Sequence, residues 1–186
     1  MKKLIIIAFA LLGALNLQAQ DQKPIRKGFT IGGSAGVGVL HFTKGMSGSE
    51  TQGDISLPNV KIGWFANERT ALYLATAGQI YEVDGKDRSF EGFIPSVQYW
   101  TGDRMWISGG FGPALDTRAF YASSKDSRKS SWGKGVLLAT GYEVTQRPKW
   151  AMDIQARLFM ASVDQGVELG RLEGTSFTIA VGFTLL

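Results

Sequence analysis

Trp150-Ala151-Met152-Asp153-Ile154-Gln155-Ala156-Arg157-Leu158-Phe159-Met160-Ala161 is the stretch whose reading decides the fold. Trp150, Met152, Ile154, Ala156, Leu158 and Met160 are all apolar, while Ala151, Asp153, Gln155, Arg157, Phe159 and Ala161 form a mixed, mostly polar or small set. Successive side chains of an extended chain point to opposite sides, so this alternation predicts a strand with one greasy and one mostly polar face. An amphipathic helix would instead gather its apolar residues at alternating spacings of three and four. The same period of two recurs at the end of the chain, where Phe177, Ile179, Val181, Phe183 and Leu185 oppose Ser176, Thr178, Ala180, Gly182 and Thr184. Near the start, Phe29, Ile31, Ala35, Val37 and Val39 oppose Thr30, Gly32, Ser34, Gly36 and Gly38.

Weaker alternation fills the middle and predicts eight strands in all, at about 28–42, 54–66, 70–83, 91–101, 104–116, 132–144, 149–162 and 173–186. The connections alternate as well. Residues 67–69, 102–103 and 145–148 are short, whereas 43–53, 84–90, 117–131 and 163–172 are long and rich in Gly, Ser, Asp and Lys. An even strand count with short turns on one side and long loops on the other is the pattern of an outer-membrane barrel. The expected fold is therefore an all-β, eight-stranded antiparallel up-and-down transmembrane β-barrel. A soluble β-sandwich or lipocalin-like barrel would also alternate, with its greasy face inward. Two features favour the membrane barrel. The less apolar face is crowded with Gly, Ala, Ser and Thr, as the narrow bore of eight strands requires. Aromatic residues also stand near strand ends, at Phe29, Trp64, Trp100, Trp106, Trp132, Tyr142, Trp150 and Phe183, where interfacial girdles are expected.

Composition agrees and narrows the chemistry. The 186 residues include 24 Gly and 5 Pro, a mix that is neither disordered nor helix-rich. The absence of Cys removes disulfides, thiol catalysis and Cys-bound metals, and a single His removes any multi-His zinc site. Lys2 and Lys3, the apolar run Leu4–Leu15 and the exit Asn16-Leu17-Gln18-Ala19 have the layout of a cleaved secretory signal peptide. The domain reading is thus a signal peptide at 1–19 and one barrel domain at 20–186. Removal of Lys2 and Lys3 takes away two units of the formal net charge of +4, so nucleic acid is not expected as a partner.

Ala19-Gln20, the segment Leu57-Pro58-Asn59-Val60-Lys61-Ile62-Gly63-Trp64-Phe65 turning into Thr70-Ala71-Leu72-Tyr73-Leu74, and the closing Phe177-Thr178-Ile179-Ala180-Val181-Gly182-Phe183 resemble the small outer-membrane β-barrel proteins of Bacteroidetes-type bacteria. The resemblance implies a location in the bacterial outer membrane and the barrel fold, without an assigned activity. The chain departs from the usual pattern by ending Thr184-Leu185-Leu186 rather than on an aromatic residue.

Candidate functional residues fall in two groups. Lys61, Glu143, Asp153 and Arg157 lie on inward faces and are expected to form a paired, structural polar network, since charges in a narrow barrel are costly unless satisfied. Lys125, Arg128, Lys129 and Lys134 enrich the third loop in positive charge and could contact phosphates of lipopolysaccharide or a partner protein of the envelope. His41, with Thr43, Ser47, Ser49 and Glu50 nearby in sequence, has the ingredients of a lipid hydrolase but matches no motif. Gly32-Gly33-Ser34-Ala35-Gly36-Val37-Gly38 lacks the Gly-Lys-Ser/Thr ending of a phosphate loop. The expected role is non-enzymatic, structural or interactive, with no catalytic, cofactor or metal residues. A small channel or transport component is the alternative, and a lipid-modifying enzyme the third reading. Amino-terminal sequencing of the secreted form tests the first segment, and Gln20 is the expected first residue.

Overall fold

The computed structural model describes residues 23–45, 50–56, 58–122, 129–166 and 170–186. The expected signal peptide lies outside them. Every regular element among the described residues is a strand: β1 Gly28–Lys44, β2 Glu50–Ile55, β3 Asn59–Asn67, β4 Thr70–Val83, β5 Lys86–Trp100, β6 Met105–Arg118, β7 Ser131–Arg147, β8 Trp150–Asp164 and β9 Arg171–Leu185. All pairings between them are antiparallel.

The sheet closes on itself. One edge of β1 pairs with β9 from Ile31↔Leu185 to Lys44↔Glu173, and the other edge pairs with β3 at its start and β2 at its end. From β3 the order runs without crossover through β4 to β9 and back to β1. This is an up-and-down barrel of eight staves, one of which is broken into β2 and β3. The break replaces the single strand expected at 54–66. Pro58 stands in it, and a residue without a backbone N–H cannot continue the ladder. The wall is held across the break by the Ser56 N–H, which donates to the Gly36 carbonyl at 2.9 Å.

A second departure lies at 84–90, expected to be a long loop. β4 and β5 instead pair as far as Val83↔Lys86, leaving a two-residue turn of Asp84 and Gly85 with φ of 53° and 69°. Two successive left-handed residues make the turn whose twist matches a hairpin, and Asp-Gly is a preferred sequence for it. Arg88 and Phe90, assigned to the loop, are strand residues buried inside the barrel.

The strand parity follows the sequence elsewhere. Val37, Val39, Ile62, Leu72, Leu74, Val97, Ile107, Leu138, Ile154, Ile179 and Val181 face outward and remain exposed. Gln79, Arg88 and Asp116 face inward with no exposure at all. An apolar outside around a charged inside is the reverse of a soluble barrel. The aromatic positions divide. Phe29, Trp64, Trp132, Tyr142 and Phe183 are exposed on the outer wall, but Trp100 and Trp106 are inside and almost fully buried, filling the bore rather than marking an interface.

The seam between β1 and β9 leaves little room. A Cβ added at Gly36 would collide with the Ile179 carbonyl oxygen and with Ala180, whereas one at outward Gly33 would meet only the Asn59 carbonyl oxygen at 3.7 Å. Gly36→Val should therefore lower stability by about 1–3 kcal/mol or block closure, and Gly33→Ala should leave it unchanged. Resistance of the folded band to SDS at rising temperature distinguishes the two.

Candidate functional site

The barrel interior carries the polar chemistry, arranged in tiers. At the end that bears both termini, Glu143 on β7 accepts hydrogen bonds from Arg26 Nη2 at 2.9 Å, Trp100 Nε1 at 2.7 Å and Gln146 Nε2 at 2.7 Å. Gln146 reaches this carboxylate because the register shifts between Glu143 and Thr145. Arg26 comes from the segment before β1. It lies 4.6 Å over the Trp100 ring and also donates to the Asp103 carbonyl at 2.8 Å. The Ile25 N–H donates to the Pro148 carbonyl, which ties this segment across the barrel end.

Above this tier pack Phe65, Ala71, Tyr73, Trp100 and Trp106. The middle of the bore is polar. Lys61 Nζ donates to Gln98 Oε1 at 3.2 Å and sits 5.0 Å and 5.2 Å from the ring centroids of Tyr73 and Trp106. Arg157 reaches across the lumen, from Nη2 to the Thr76 carbonyl at 2.7 Å and from Nη1 to Ser34 Oγ at 3.3 Å. Asp153 accepts from Gln155 Nε2 at 2.8 Å. A second apolar cluster then fills the bore, with Leu40, Phe42, Phe90, Ile94, Leu137, Phe159, Val163 and Leu172 among its members. Phe42 packs edge-on against Tyr81 and Phe90, with centroids 4.8 Å and 5.4 Å apart.

The far end is closed by a second ion cluster. Arg88 Nε and Nη2 donate to the two oxygens of Asp116, each at 3.0 Å, and both side chains are wholly buried. Tyr81 Oη and Gln165 Nε2 donate to the same carboxylate at 2.8 Å and 3.0 Å. A buried carboxylate with four donors is satisfied in the way that burial demands.

Of the interior residues singled out from sequence, Lys61, Glu143, Asp153 and Arg157 all point inward, but they do not form one network. Glu143 is ion-paired, and its partner is Arg26. Lys61, Asp153 and Arg157 make no ion pair with any described residue and are satisfied by neutral groups instead. Arg26, Arg88 and Asp116 were missed. Asp116 continues the inward parity of Ser108, Gly110, Gly112 and Ala114 and could have been found by extending it. Arg88 was hidden by the loop assignment, and Arg26 precedes the alternation altogether.

The loop-end residues are outside this interior. Lys125 and Arg128 lie outside the described residues. Lys129 and Lys134 are exposed, and the Lys129 carbonyl accepts from Arg88 Nη2 at 3.4 Å. Lys134 faces outward on β7, beside Thr43 and Glu173 on the neighbouring wall. His41 faces outward on β1, with Nδ1 2.8 Å from Thr51 Oγ1 on β2. Ser47 and Ser49 lie outside the described residues. Among the described residues no group of three His, Cys, Asp or Glu side chains could hold a metal.

No family model and no curated protein matches the sequence. Solved structures do match. The chain is similar to Ail, the attachment invasion locus protein of Yersinia pestis, at 11% identity and a TM-score of 0.50, covering 85% of this chain and 99% of that one. It is similar to Neisserial surface protein A (NspA) at 18% identity and a TM-score of 0.51, covering 84% and 96%. The fold is that of the outer-membrane β-barrels.

Removing one partner of the buried pair at the loop end should cost about 3–5 kcal/mol, because a charge is left uncompensated. Asp116→Ala is the variant, read by urea unfolding in lipid vesicles with tryptophan fluorescence. The double variant Arg88→Met/Asp116→Leu should recover most of the loss.

Proposed function

We propose that this is an exported protein of the bacterial outer membrane with a structural or interactive role rather than an enzymatic one. In this reading the outward apolar belt meets lipid, the end bearing both termini faces the periplasm, and the loops after β1, β4, β6 and β8 face outside. Lys125, Arg128, Lys129 and Lys134 then stand beside the anionic outer leaflet, where cations gain electrostatic energy against the phosphates of lipopolysaccharide. Another envelope protein could take the same rim, so presentation of loops, envelope integrity or service as an accessory subunit all fit.

The observation that carries the reading is the filled bore. Packed apolar side chains lie on both sides of the polar middle, and the cavity left between them is about 30 Å³. That holds a water or two, far less than a hydrated solute needs. This argues against the channel alternative. For the lipid-modifying reading, the only supporting group is His41, which is engaged by Thr51.

The test is conductance in planar lipid bilayers with the purified, refolded protein. The expected record is flat at potentials of either sign. Uniform stepwise currents that vanish on heat denaturation would overturn the reading in favour of a channel.

A further inference from the structure

The central cavity is not electrically neutral. Its lining includes Lys61 and Arg157 but no carboxylate, since Asp153 lies behind Gln155 and outside the lining. Asp153 and Glu143 attract Lys61 through space, while Arg157 repels it. Neither cation has an ion-pair partner among the described residues. The remaining polar lining is rich in donors left idle. Gln98 Nε2 has no hydrogen-bond partner although Gln98 is 2% exposed, because its Oε1 is the atom that accepts from Lys61. The Trp106 indole N–H interacts with the Asp153 carboxylate yet completes no hydrogen bond, and Trp106 is equally buried. Ser96 and Ser108 add hydroxyls that rotate to donate.

We propose that this cavity is a binding site for one small monovalent inorganic anion, held by Lys61 Nζ, Gln98 Nε2 and the hydroxyls of Ser96 and Ser108. Water would satisfy idle donors, but it brings no charge, and two buried cations facing one cavity call for a countercharge. The volume of about 30 Å³ admits a halide-sized ion and excludes phosphate, sugars and lipid headgroups. Apolar packing covers the cavity on both sides, so the ion is loaded as the barrel closes and exchanges slowly afterwards. The site is part of the fold and holds whatever the loops do at the cell surface.

The experiment uses bromide as the probe. The full mature chain is refolded from urea into detergent with sodium bromide as the only small anion, and in parallel with sodium gluconate at equal ionic strength. Crystals of the bromide form should show an anomalous difference peak in contact with Lys61 Nζ and Gln98 Nε2. The melting temperature should be several degrees higher in bromide than in gluconate, and Lys61→Met should abolish that difference. Gln98→Leu, which removes a donor and keeps the charge, should shrink it and serves if Lys61→Met does not fold. Bromide peaks confined to the surface, with only water in the cavity, or equal melting temperatures in the two salts, would overturn the proposal.

Discussion

The antiparallel seam between β1 and β9 is the constraint from which the rest of this structure follows. In hydrocarbon no water is at hand for an open edge, so each strand must find partners on both sides. β1 achieves this by giving one edge to β9 and the other to β2 and β3. Closure after eight staves fixes a narrow bore. The bore in turn decides which residues can face it. Gly32, Gly36 and Gly38 on β1, Gly110 on β6 and Gly182 on β9 all point to a side where an added Cβ meets backbone or a polar side chain closer than 3.0 Å. The high glycine content is thus a consequence of closing a small barrel, and the phosphate-loop look of residues 32–38 has the same origin.

A bore too narrow for water and too polar for an oil-like core has to satisfy its charges internally. The two ends do so with ion clusters that join distant parts of the chain. Glu143 gathers groups from the segment before β1, from β5 and from β7, and Asp116 gathers them from β4, β5 and the stretch after β8. Buried ion pairs contribute little net stability over well-packed apolar replacements, because desolvation offsets their attraction. What they do supply is discrimination. A strand slipped by one residue would turn each charge outward into lipid, at a cost of several kcal/mol. The apolar belt cannot enforce register in this way, since lipid accepts one aliphatic side chain as readily as another.

The fold was legible because the alternation of Trp150–Ala161 and Phe177–Leu185 is long and uninterrupted. Where the physical signal was local and brief, reading failed or slipped. Asp84-Gly85 announces a tight hairpin, yet its flanks, Glu82-Val83 and Lys86-Asp87-Arg88, read as polar loop because strand tips beyond the membrane need not alternate. Pro58 announces a break, but only the paired partner strand shows that the wall continues on both sides of it. Trp100 and Trp106 carry the ring chemistry of an interface and are instead core residues, a distinction made by parity and not by residue type. The inward placement of Lys61, Glu143, Asp153 and Arg157 was visible from the same parity. Their partners were not, because Arg26–Glu143 and Arg157–Thr76 are contacts between residues 117 and 81 positions apart. Period-two analysis assigns a face and is silent about what stands across the lumen.

Inversion of the usual burial pattern also limits where specific recognition can reside. Along the membrane-facing wall the side chains are aliphatic and interchangeable. Inside, apart from one small cavity, each bulky side chain is in van der Waals contact with others and has no surface to offer. Chemical individuality is left to the rims. At the terminal end, Arg26 is spent on Glu143, and the segment carrying it is bonded to the turn at Pro148, which makes that end part of the scaffold. At the loop end, Arg88 and Asp116 seal the bore just beneath the exposed Phe120, Tyr121 and Lys129. A wholly buried salt bridge under a set of exposed aromatic and basic residues is a rigid floor under a variable surface. Loops anchored to such a floor can change in sequence without disturbing the seam, and this division of labour is what a barrel built to present its loops requires.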